Sequence, residues 1–339
     1  MTEYKIGNNE KGQRFDKLLL KILKEANKSF IYKMLRKKNI TLNGKKAIGN
    51  EILKENDIVK IFLSDETFKK FAGIQNENSI YTIEGINLNI IYETDDFMLI
   101  NKPVGMLSQK AKETDISLVE YLIDYMLKQG QISIEQLNTF KPSICNRLDR
   151  NTSGLIIAGK SLRGLQKMTN YIKNREIDKY YLTIVKGKIK RSSVIEGYLI
   201  KDKKTNKVTI IQEKNKKDLK NRIGEKELSA IRTKYEPIKS TEEYTLLKVQ
   251  LITGKTHQIR AHLASIGHPI LGDYKYGDKI LNDKMKKLYK LDYQLLHSYE
   301  IVFNNNDDDI LNVKNKKYTA QPDNLFNKII NDIFNLPHC

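Results

Sequence analysis

The chain is poor in cysteine and contains no tryptophan. Its two cysteines, Cys145 and Cys339, form no CxxC pair and have no histidine at metal-ligand spacing. We therefore expect neither a disulfide framework nor a structural zinc site. Free cysteine is among the residues that proteins most often bury, so Cys145 is predicted to be a buried strand residue rather than a nucleophile.

The sequence also lacks long hydrophobic runs. No apolar stretch approaches the roughly 20 residues that a membrane-spanning helix needs, and the first residues, MTEYKIGNNEKGQ, contain no apolar signal-peptide core. We therefore expect a cytoplasmic protein with no membrane partner. With 339 residues and 40% hydrophobic content, the chain can form two domains with sizeable cores.

Acidic residues are scarce relative to basic ones. The chain has 60 Lys and Arg against 41 Asp and Glu, so its formal net charge is +19. A protein this basic normally binds a polyanion, and nucleic acid is the expected partner. The chain is rich in Lys, Asn and Ile, so a genomic bias in composition is an alternative explanation for part of the positive charge. The net charge therefore supports nucleic-acid binding without proving it.

Two motifs that would indicate other chemistry are incomplete. Gly254-Lys255-Thr256 resembles the end of a phosphate-binding loop, but Val249 stands where that loop needs glycine. His257 and His262 are five residues apart, so they do not stack on one helical face, and an HExxH pattern is absent. The sequence therefore predicts neither a phosphate-binding loop nor a histidine metal site at these residues.

Residues 12–63 form a separate basic unit, with 13 Lys and Arg against 5 Asp and Glu. Apolar residues recur at helical spacing over residues 15–22 and again over residues 30–35, where Ser29 is the predicted N-cap. ITLNGKKA then alternates and turns at Asn43-Gly44, and DIVKIFL alternates again. We expect two short amphipathic helices followed by strands.

Residues 64–86 are polar and weakly periodic, as expected of a linker. Residues 87–339 mix strand-like stretches, such as KYYLTIVKG and TLLKVQLIT, with helical ones, such as SLVEYLIDYMLKQ and SLRGLQKMTNYIKN. This pattern predicts an α+β domain built on a mixed, mainly antiparallel sheet. Within it, residues 186–226 carry 14 Lys and Arg against 5 Asp and Glu and are predicted to form a basic hairpin or loop, with disorder as the alternative.

The segment NRLDRNTSGLIIAGK, residues 146–160, carries the clearest chemical signal. Asp149 lies between Arg147 and Arg150 and is followed by a small-polar turn and an apolar strand-like run. A carboxylate held between two guanidinium groups stays ionised and can act as a nucleophile on a bound substrate. The alternative, for this residue taken alone, is that Asp149 only caps a turn.

This segment closely resembles the catalytic motif of the RluA-type pseudouridine synthases. Three further blocks resemble that family in the same order: IIYETDDFMLINKPVGML, LITGKTHQIRAHLASIGHPILGDYKYG and QLLHSYEIVF. Two family positions differ, because Asn146 replaces a histidine and Lys255 replaces an arginine, and we expect activity to survive both. The resemblance implies an enzyme that isomerises uridine to pseudouridine in structured RNA without a metal or cofactor.

The resemblance also implies which residues form the active site. Asp149 aligns with the family's catalytic carboxylate, Tyr181 with the tyrosine that lies against the uracil, and Arg260 with the basic partner of the carboxylate. Tyr180, on the opposite face of the same strand, is the alternative to Tyr181. Four further side chains are expected to bind the RNA: Arg147, Arg150, Lys255 and His257. For Arg147 the alternative is a purely structural role.

The N-terminal unit resembles the S4 RNA-binding domain. In that family the second helix and the following turn face RNA, which implies contacts from Lys33, Arg36, Lys37, Lys38, Lys45 and Lys46 here. The alternative is that these cations only solvate the outer face of a small domain. Together the resemblances predict a monomer of the RluC branch that modifies 23S ribosomal RNA. The rival predictions are an enzyme that acts on transfer RNA and a non-catalytic ribosome-assembly factor.

Overall fold

The computed structural model describes residues 1–72, 87–202, 207–211, 228–304 and 311–335. Most of the predicted linker and parts of the basic segment 186–226 lie outside these residues. Within the described ranges, no helix is both long and apolar enough to span a membrane. The strands form two sheets, one of four strands near the N-terminus and one of eleven strands.

The N-terminal unit combines helices with a four-stranded antiparallel sheet. Its elements are β1 (Thr2–Lys5), α1 (Phe15–Ile22), α2 (Lys28–Arg36), β2 (Ile40–Leu42), β3 (Lys45–Lys46), β4 (Ile58–Ile61) and α3 (Asp65–Ala72). The strand order is β1-β4-β2-β3. The apolar faces predicted for α1 and α2 are confirmed, because they pack into one shared core, in which Phe68 of α3 is also buried.

Two local features explain how these elements begin and connect. The Asn43-Gly44 turn is confirmed, since both residues have a positive φ, 52° and 72°, and they form a two-residue connection between β2 and β3. The prediction of Ser29 as the N-cap of α2 is wrong. The helix begins two residues earlier than predicted, because the Asn27 side chain accepts a hydrogen bond from Phe30 N–H at 2.9 Å.

The second unit is built on the eleven-stranded sheet. Its strands are β5 (Ile90–Glu93), β6 (Phe97–Lys102), β7 (Ser143–Ile144), β8 (Ser153–Gly159), β9 (Ile177–Lys186), β10 (Ser193–Lys201), β11 (Val208–Ile211), β12 (Leu228–Ser240), β13 (Tyr244–Leu251), β14 (Leu296–Phe303) and β15 (Lys317–Thr319). Their order is β11-β10-β12-β13-β9-β14-β8-β6-β5, with β15 beside β14 and β7 beside β8. Among the strands described, β8 and β14 form the one parallel pair, so the predicted mixed, mainly antiparallel sheet is confirmed.

Helices pack on both faces of this sheet. They are α4 (Leu118–Lys128), α5 (Ile134–Leu137), α6 (Leu162–Lys173), α7 (Gln258–Ser265), α8 (Lys279–Tyr289) and α9 (Asn324–Phe334). Successive residues of β6 alternate between two cores, since Met98 and Ile100 pack with α4 and α7 whereas Phe97 and Leu99 pack with α6. Strand β6, which lies between β8 and β5, is therefore buried on both faces, as its continuous apolar run indicates.

Strand β14 brings distant segments of the chain together. Its Ser298 lies opposite Gly154 of β8 on one side and Tyr181 of β9 on the other. Gly154 has a φ of 107°, and a Cβ at this position would lie 2.3 Å from the Ser298 carbonyl oxygen. Only glycine fits this close approach. The start of β8, and the loop that precedes it, are thereby held close to Tyr181.

Part of the predicted basic hairpin is confirmed. Strands β10 and β11 pair antiparallel, with Lys201 opposite Val208 near the tip, while residues 203–206 lie outside the described ranges. The apolar side of the hairpin buries Ala261 of α7. The hairpin therefore packs against the helix that carries Arg260.

The two units contact each other through polar side chains. Thr139 Oγ1 donates a hydrogen bond to Glu10 Oε1 at 2.7 Å, and Leu162 N–H donates to Asn9 Oδ1 at 2.9 Å. The domain limits 12–63 and 87–339 stay predictions. Strand β1 precedes the first of these ranges and α3 follows it, and both elements pack with the N-terminal unit.

Candidate active site

Asp149 lies in the loop between β7 and β8, which is held by hydrogen bonds from two sides. Thr152 N–H donates to the Asp149 carbonyl oxygen at 3.0 Å and closes a turn. Ser108 Oγ donates to the Leu148 carbonyl at 2.7 Å and accepts from Leu148 N–H at 3.1 Å. The position of Asp149 therefore depends on its own turn and on the chain near residue 108.

Lys102, at the end of β6, is fully buried against this loop. Its Nζ donates to the carbonyl oxygens of Pro103 at 2.8 Å, Met106 at 2.9 Å and Arg150 at 3.0 Å. Burial lowers the pKa of Lys102 to about 7, and the negative charge of Asp149 opposes this shift. Three carbonyl oxygens match the three N–H bonds of an ammonium group, so the geometry favours the charged form. Lys102, which the sequence analysis did not select, thus fastens the Asp149 loop to the end of β6.

Arg260 of α7 bonds to two carboxylates at once. Its Nη1 donates to Asp149 Oδ2 at 2.8 Å, and its Nε and Nη2 donate to the two oxygens of Asp273 at 2.7 and 2.9 Å. Burial by itself lowers the pKa of Arg260, but the bonds to Asp273 and Asp149 outweigh burial and raise it. The guanidinium stays charged, and its fixed fork determines where Asp149 Oδ2 lies.

Asp273 is a site residue that the sequence analysis missed. Besides Arg260, its Oδ1 accepts hydrogen bonds from Lys275 N–H at 2.9 Å and Tyr276 N–H at 3.1 Å. The aspartate beside glycine in GDYKYG indicates a turn. That pattern does not indicate an arginine partner 13 residues earlier in the chain.

Tyr181 of β9 is only 4% exposed, and its side chain lines the same small pocket as Asp149. Burial raises the pKa of its phenol, a hydrogen bond with Ser298 opposes this shift, and the charge of Asp149 adds to it. The phenol therefore keeps its proton at neutral pH. Tyr180 is on the other face of β9, where Lys248 Nζ lies 4.5 Å from the centroid of its ring.

His257 precedes α7 in the left-handed conformation, with a φ of 54°. Its Nδ1 lies 2.8 Å from the phenol oxygen of Tyr276, and its Nε2 lies 3.7 Å from Asp149 Oδ2. The next residue, Gln258, is buried and accepts a hydrogen bond from Lys255 N–H at 3.1 Å while its Nε2 donates to the Arg232 carbonyl at 3.0 Å. Gln258 and Tyr276, which the sequence analysis did not select, thus fix the turn that contains His257 and the orientation of its ring.

A small pocket of about 70 Å³ is lined by six of the seven site residues predicted in the second unit. Its lining contains all three predicted catalytic residues and three of the predicted RNA contacts: Asp149, Tyr181, Arg260, Arg147, Lys255 and His257. An adjoining cleft of about 1410 Å³ shares several of these residues and adds Arg150. Further cations line the cleft, namely Lys110, Lys173, Arg175, Lys179, Lys201 and Lys275. The cleft has the charge that a phosphate backbone requires.

The six predicted N-terminal cations are exposed, but none of them lines the pocket or the cleft. They lie on α2, directly after it, and on β3. In the described part of the chain none of them forms an ion pair with a carboxylate. Contact of this surface with RNA stays a prediction.

The structure corrects one prediction about cysteine. Cys145 directly follows β7 and is half-buried, whereas the sequence predicted a buried strand residue. Burial raises the pKa of its thiol to about 12, so it remains protonated at neutral pH. Among the described residues, no three His, Cys, Asp or Glu side chains are arranged to hold a metal ion.

The model of the RNA pseudouridylate synthase family matches residues 96–265, half of the chain and the part that holds Asp149, Tyr181 and Arg260. The chain belongs to this family. It is a pseudouridine synthase, as the sequence predicted.

This pseudouridine synthase is 29% identical to ribosomal large subunit pseudouridine synthase C of Pasteurella multocida, over 88% of this chain and 84% of that protein. It is 30% identical to ribosomal large subunit pseudouridine synthase D of Borreliella burgdorferi, over 71% of this chain and 68% of that protein. Human RNA pseudouridylate synthase domain containing 4 has the same fold, with a TM-score of 0.52 and 20% identity over 70% of this chain and 90% of that chain. The predicted family and fold class are confirmed, and the S4 likeness of the N-terminal unit stays a prediction.

Proposed function

We propose that this pseudouridine synthase modifies uridine in large-subunit ribosomal RNA and that Asp149 is its catalytic carboxylate. One observation carries the proposal: Asp149, bonded to Arg260, lies in one pocket with the buried Tyr181, beside a cleft rich in cations. The names of the relatives from Pasteurella multocida and Borreliella burgdorferi support ribosomal RNA as the substrate.

The proposed chemistry is an exchange of one glycosidic bond for another. The N1–C1′ bond of uridine breaks, the uracil turns, and a C5–C1′ bond forms, after which C5 loses its proton and N1 gains one. In this proposal Asp149 attacks the ribose or the base, or removes a ribose proton, while the hydrogen bond from Arg260 fixes the direction of its carboxylate. The pocket, together with the adjoining cleft, would keep the detached uracil next to the ribose.

In this proposal Tyr181 lies against the uracil and provides the route by which the C5 proton leaves. Because burial keeps its phenol neutral, the oxygen can accept that proton only as its own proton passes to a neighbour. The Ser298 hydroxyl, which shares a hydrogen bond with this phenol, itself donates to the Leu155 carbonyl oxygen at 3.2 Å. The neighbour that takes the phenol proton in this proposal is therefore the carboxylate of Asp149, which lines the same pocket. The ring also offers a face on which the base can stack.

RNA binding in this proposal uses both the cleft and the N-terminal unit. Turning a nucleotide out of its stack costs a few kcal/mol, and Arg147, which is exposed and lines the pocket, would hold the extruded nucleotide. Arg150 and Lys255 line the cleft, where they would contact phosphate. We propose that the N-terminal cations bind flanking RNA and that the enzyme acts as a monomer in the cytoplasm.

Pseudouridine mapping of total RNA from cells with and without the gene tests the substrate. The expected result is the loss of pseudouridine at one or more positions of 23S ribosomal RNA. Loss confined to transfer RNA would replace the proposed substrate. An unchanged pattern in both RNAs would contradict it.

The role of Asp149 is tested by returning variants to the cells that lack the gene. Asp149→Asn should restore none of the missing pseudouridine, because the carboxylate does the bond-breaking. Asp178→Asn is the matched control, since Asp178 lines the cleft but not the small pocket. In vitro, release of tritium from C5-labelled uridine within tenfold of wild type for Asp149→Asn would remove Asp149 from its proposed role.

A further inference from the structure

The imidazole of His257 lies between a phenol and the candidate catalytic carboxylate. Its Nδ1 is 2.8 Å from Tyr276 Oη, within hydrogen-bond distance. Its Nε2 is 3.7 Å from Asp149 Oδ2, which is too long for a hydrogen bond. His257 therefore has a fixed partner on one side and an open position beside Asp149 on the other.

Tyr276 has one proton to give, and its surroundings limit where that proton goes. The phenol oxygen already accepts a hydrogen bond from Val208 N–H of β11 at 3.0 Å. Burial raises the pKa of Tyr276, so the phenol stays protonated at neutral pH. Its ring is also held in place, with the Arg260 guanidinium carbon 5.3 Å from the ring centroid. Among the described residues, His257 Nδ1 is the acceptor within reach of the Tyr276 proton.

A neutral imidazole carries its proton on one of its two nitrogens, and the charge of Asp149 decides between them. With the proton on Nδ1, the Nε2 lone pair would face the carboxylate of Asp149, which is repulsive. With the proton on Nε2, Tyr276 donates to Nδ1 and an N–H bond faces the carboxylate. The second arrangement satisfies the electrostatics on both sides of the ring.

His257 is also kept neutral near pH 7. Burial lowers its pKa first, the positive charges of Arg260 and Lys275 lower it further, and the negative charges of Asp149 and Asp273 oppose these effects. A neutral ring acts as a hydrogen-bond donor at Nε2 without adding a charge next to Asp149.

We propose that Tyr276 is a positioning residue that holds His257 in its neutral Nε2–H form, so that His257 offers a fixed hydrogen-bond donor to an acceptor oxygen of the bound uridine beside Asp149. The acceptor is either a ribose hydroxyl or a uracil carbonyl. This inference rests on the proposed role of Asp149, because that role places the uridine in the pocket.

The protonated nitrogen is observed directly by two-dimensional NMR of the full chain labelled with nitrogen-15 in histidine. The chain has five histidines, so His257 is assigned by the signal that disappears in His257→Asn. The expected spectrum of the free enzyme shows an Nε2–H imidazole for His257. Tyr276→Phe keeps the ring over Arg260 but removes the donor, so the His257 Nδ1 signal should shift.

The matched control is Tyr274→Phe, because Tyr274 is exposed and its hydroxyl donates to Asp283 at 3.1 Å, away from the pocket. This control should leave the His257 signals unchanged. An Nδ1–H imidazole in the wild-type enzyme, or His257 signals unaffected by Tyr276→Phe, would overturn the inference.

The role of His257 as a hydrogen-bond donor is tested by replacing it with glutamine and with asparagine, whose side-chain amides differ in length. The nitrogen of Gln reaches the place of Nε2, whereas that of Asn reaches only the place of Nδ1. We expect His257→Gln to exceed His257→Asn in kcat by about tenfold or more, the value of one hydrogen bond. The positive φ of His257 suits Asn better than Gln, so backbone strain works against this result.

Activity of His257→Asn equal to or above that of His257→Gln would overturn the donor role. The NMR measurement needs no substrate, so it can fail while Asp149 remains the catalytic carboxylate. Conversely, an active Asp149→Asn variant would overturn the proposed function while leaving the protonated nitrogen of His257 as observed.

Discussion

The substitution Arg260→Lys tests whether the guanidinium fork, and not only its charge, positions the proposed catalytic carboxylate, Asp149. Arg260 donates three hydrogen bonds to two carboxylates, one to Asp149 and two to Asp273. Lysine keeps the positive charge but has a single nitrogen on a flexible stem. One ammonium cannot reproduce three bonds that diverge toward two different partners, so the bond to Asp149 or the pair to Asp273 must be lost.

The expected magnitudes follow from the bonds that disappear. A hydrogen bond to a charged group contributes about 1.5–3 kcal/mol. If the lysine ammonium bonds to Asp273, Asp149 loses the hydrogen bond that fixes its direction, and kcat should fall by about 10- to 150-fold. If lysine turns to Asp149 instead, the buried Asp273 loses its charged partner, and the free energy of unfolding should fall by about 3 kcal/mol or more.

Two assays on the same preparation separate these outcomes: tritium release for kcat and urea denaturation for the free energy of unfolding. The matched control is Arg163→Lys, because Arg163 makes the same fork with Asp96 but is exposed and does not line the pocket. The control should keep the wild-type kcat and lose at most about 1 kcal/mol of stability. An Arg260→Lys enzyme with kcat and stability both close to wild type would refute the reasoning.

Three further predictions follow from other parts of the structure. Tyr181→Phe should abolish tritium release while Tyr180→Phe keeps it, and the reverse result in the same assay would assign the role to the other face of β9. His297 and His262 have pKa values lowered to about 4 by burial. The unfolded chain therefore binds more protons than the native one between pH 6.5 and 4, so the free energy of unfolding should fall as pH falls through this window, by up to about 3 kcal/mol for each histidine. Urea denaturation at several pH values should show this slope, about half of it lost in His262→Gln, and an unchanged slope in that variant would contradict the prediction. The last prediction concerns the six N-terminal cations, Lys33, Arg36, Lys37, Lys38, Lys45 and Lys46. Neutralising them should make the plot of log RNA affinity against log salt concentration shallower by about 0.7–0.9 per lost phosphate contact. An unchanged slope would show that these side chains only face solvent.

Several features of the protein follow from the sequence because their causes are local. The apolar spacing in residues 15–22 specifies a helix with one buried face, and Asn43-Gly44 adopts the positive φ values that a two-residue hairpin needs. Asp149, Tyr181 and Arg260 were selected by motif, and the structure places all three in one pocket. The N-cap of α2 was mispredicted because Asn27 and Ser29 are both good caps, and the one that captures the Phe30 amide determines where the helix begins.

Only the tertiary structure decides how these residues are supported. Arg260 bonds to Asp149 across 111 positions of the chain, and the parallel pairing of β8 with β14 depends on a backbone approach that only Gly154 permits. Lys102, Asp273 and Tyr276 lie in blocks that resemble the family, but no local pattern indicates which residues they bond to. Their roles arise when burial removes water and each polar group must find its hydrogen bond within the protein. The sequence by itself thus indicates the proposed reacting groups, whereas the folded chain determines the charges and hydrogen bonds that surround them.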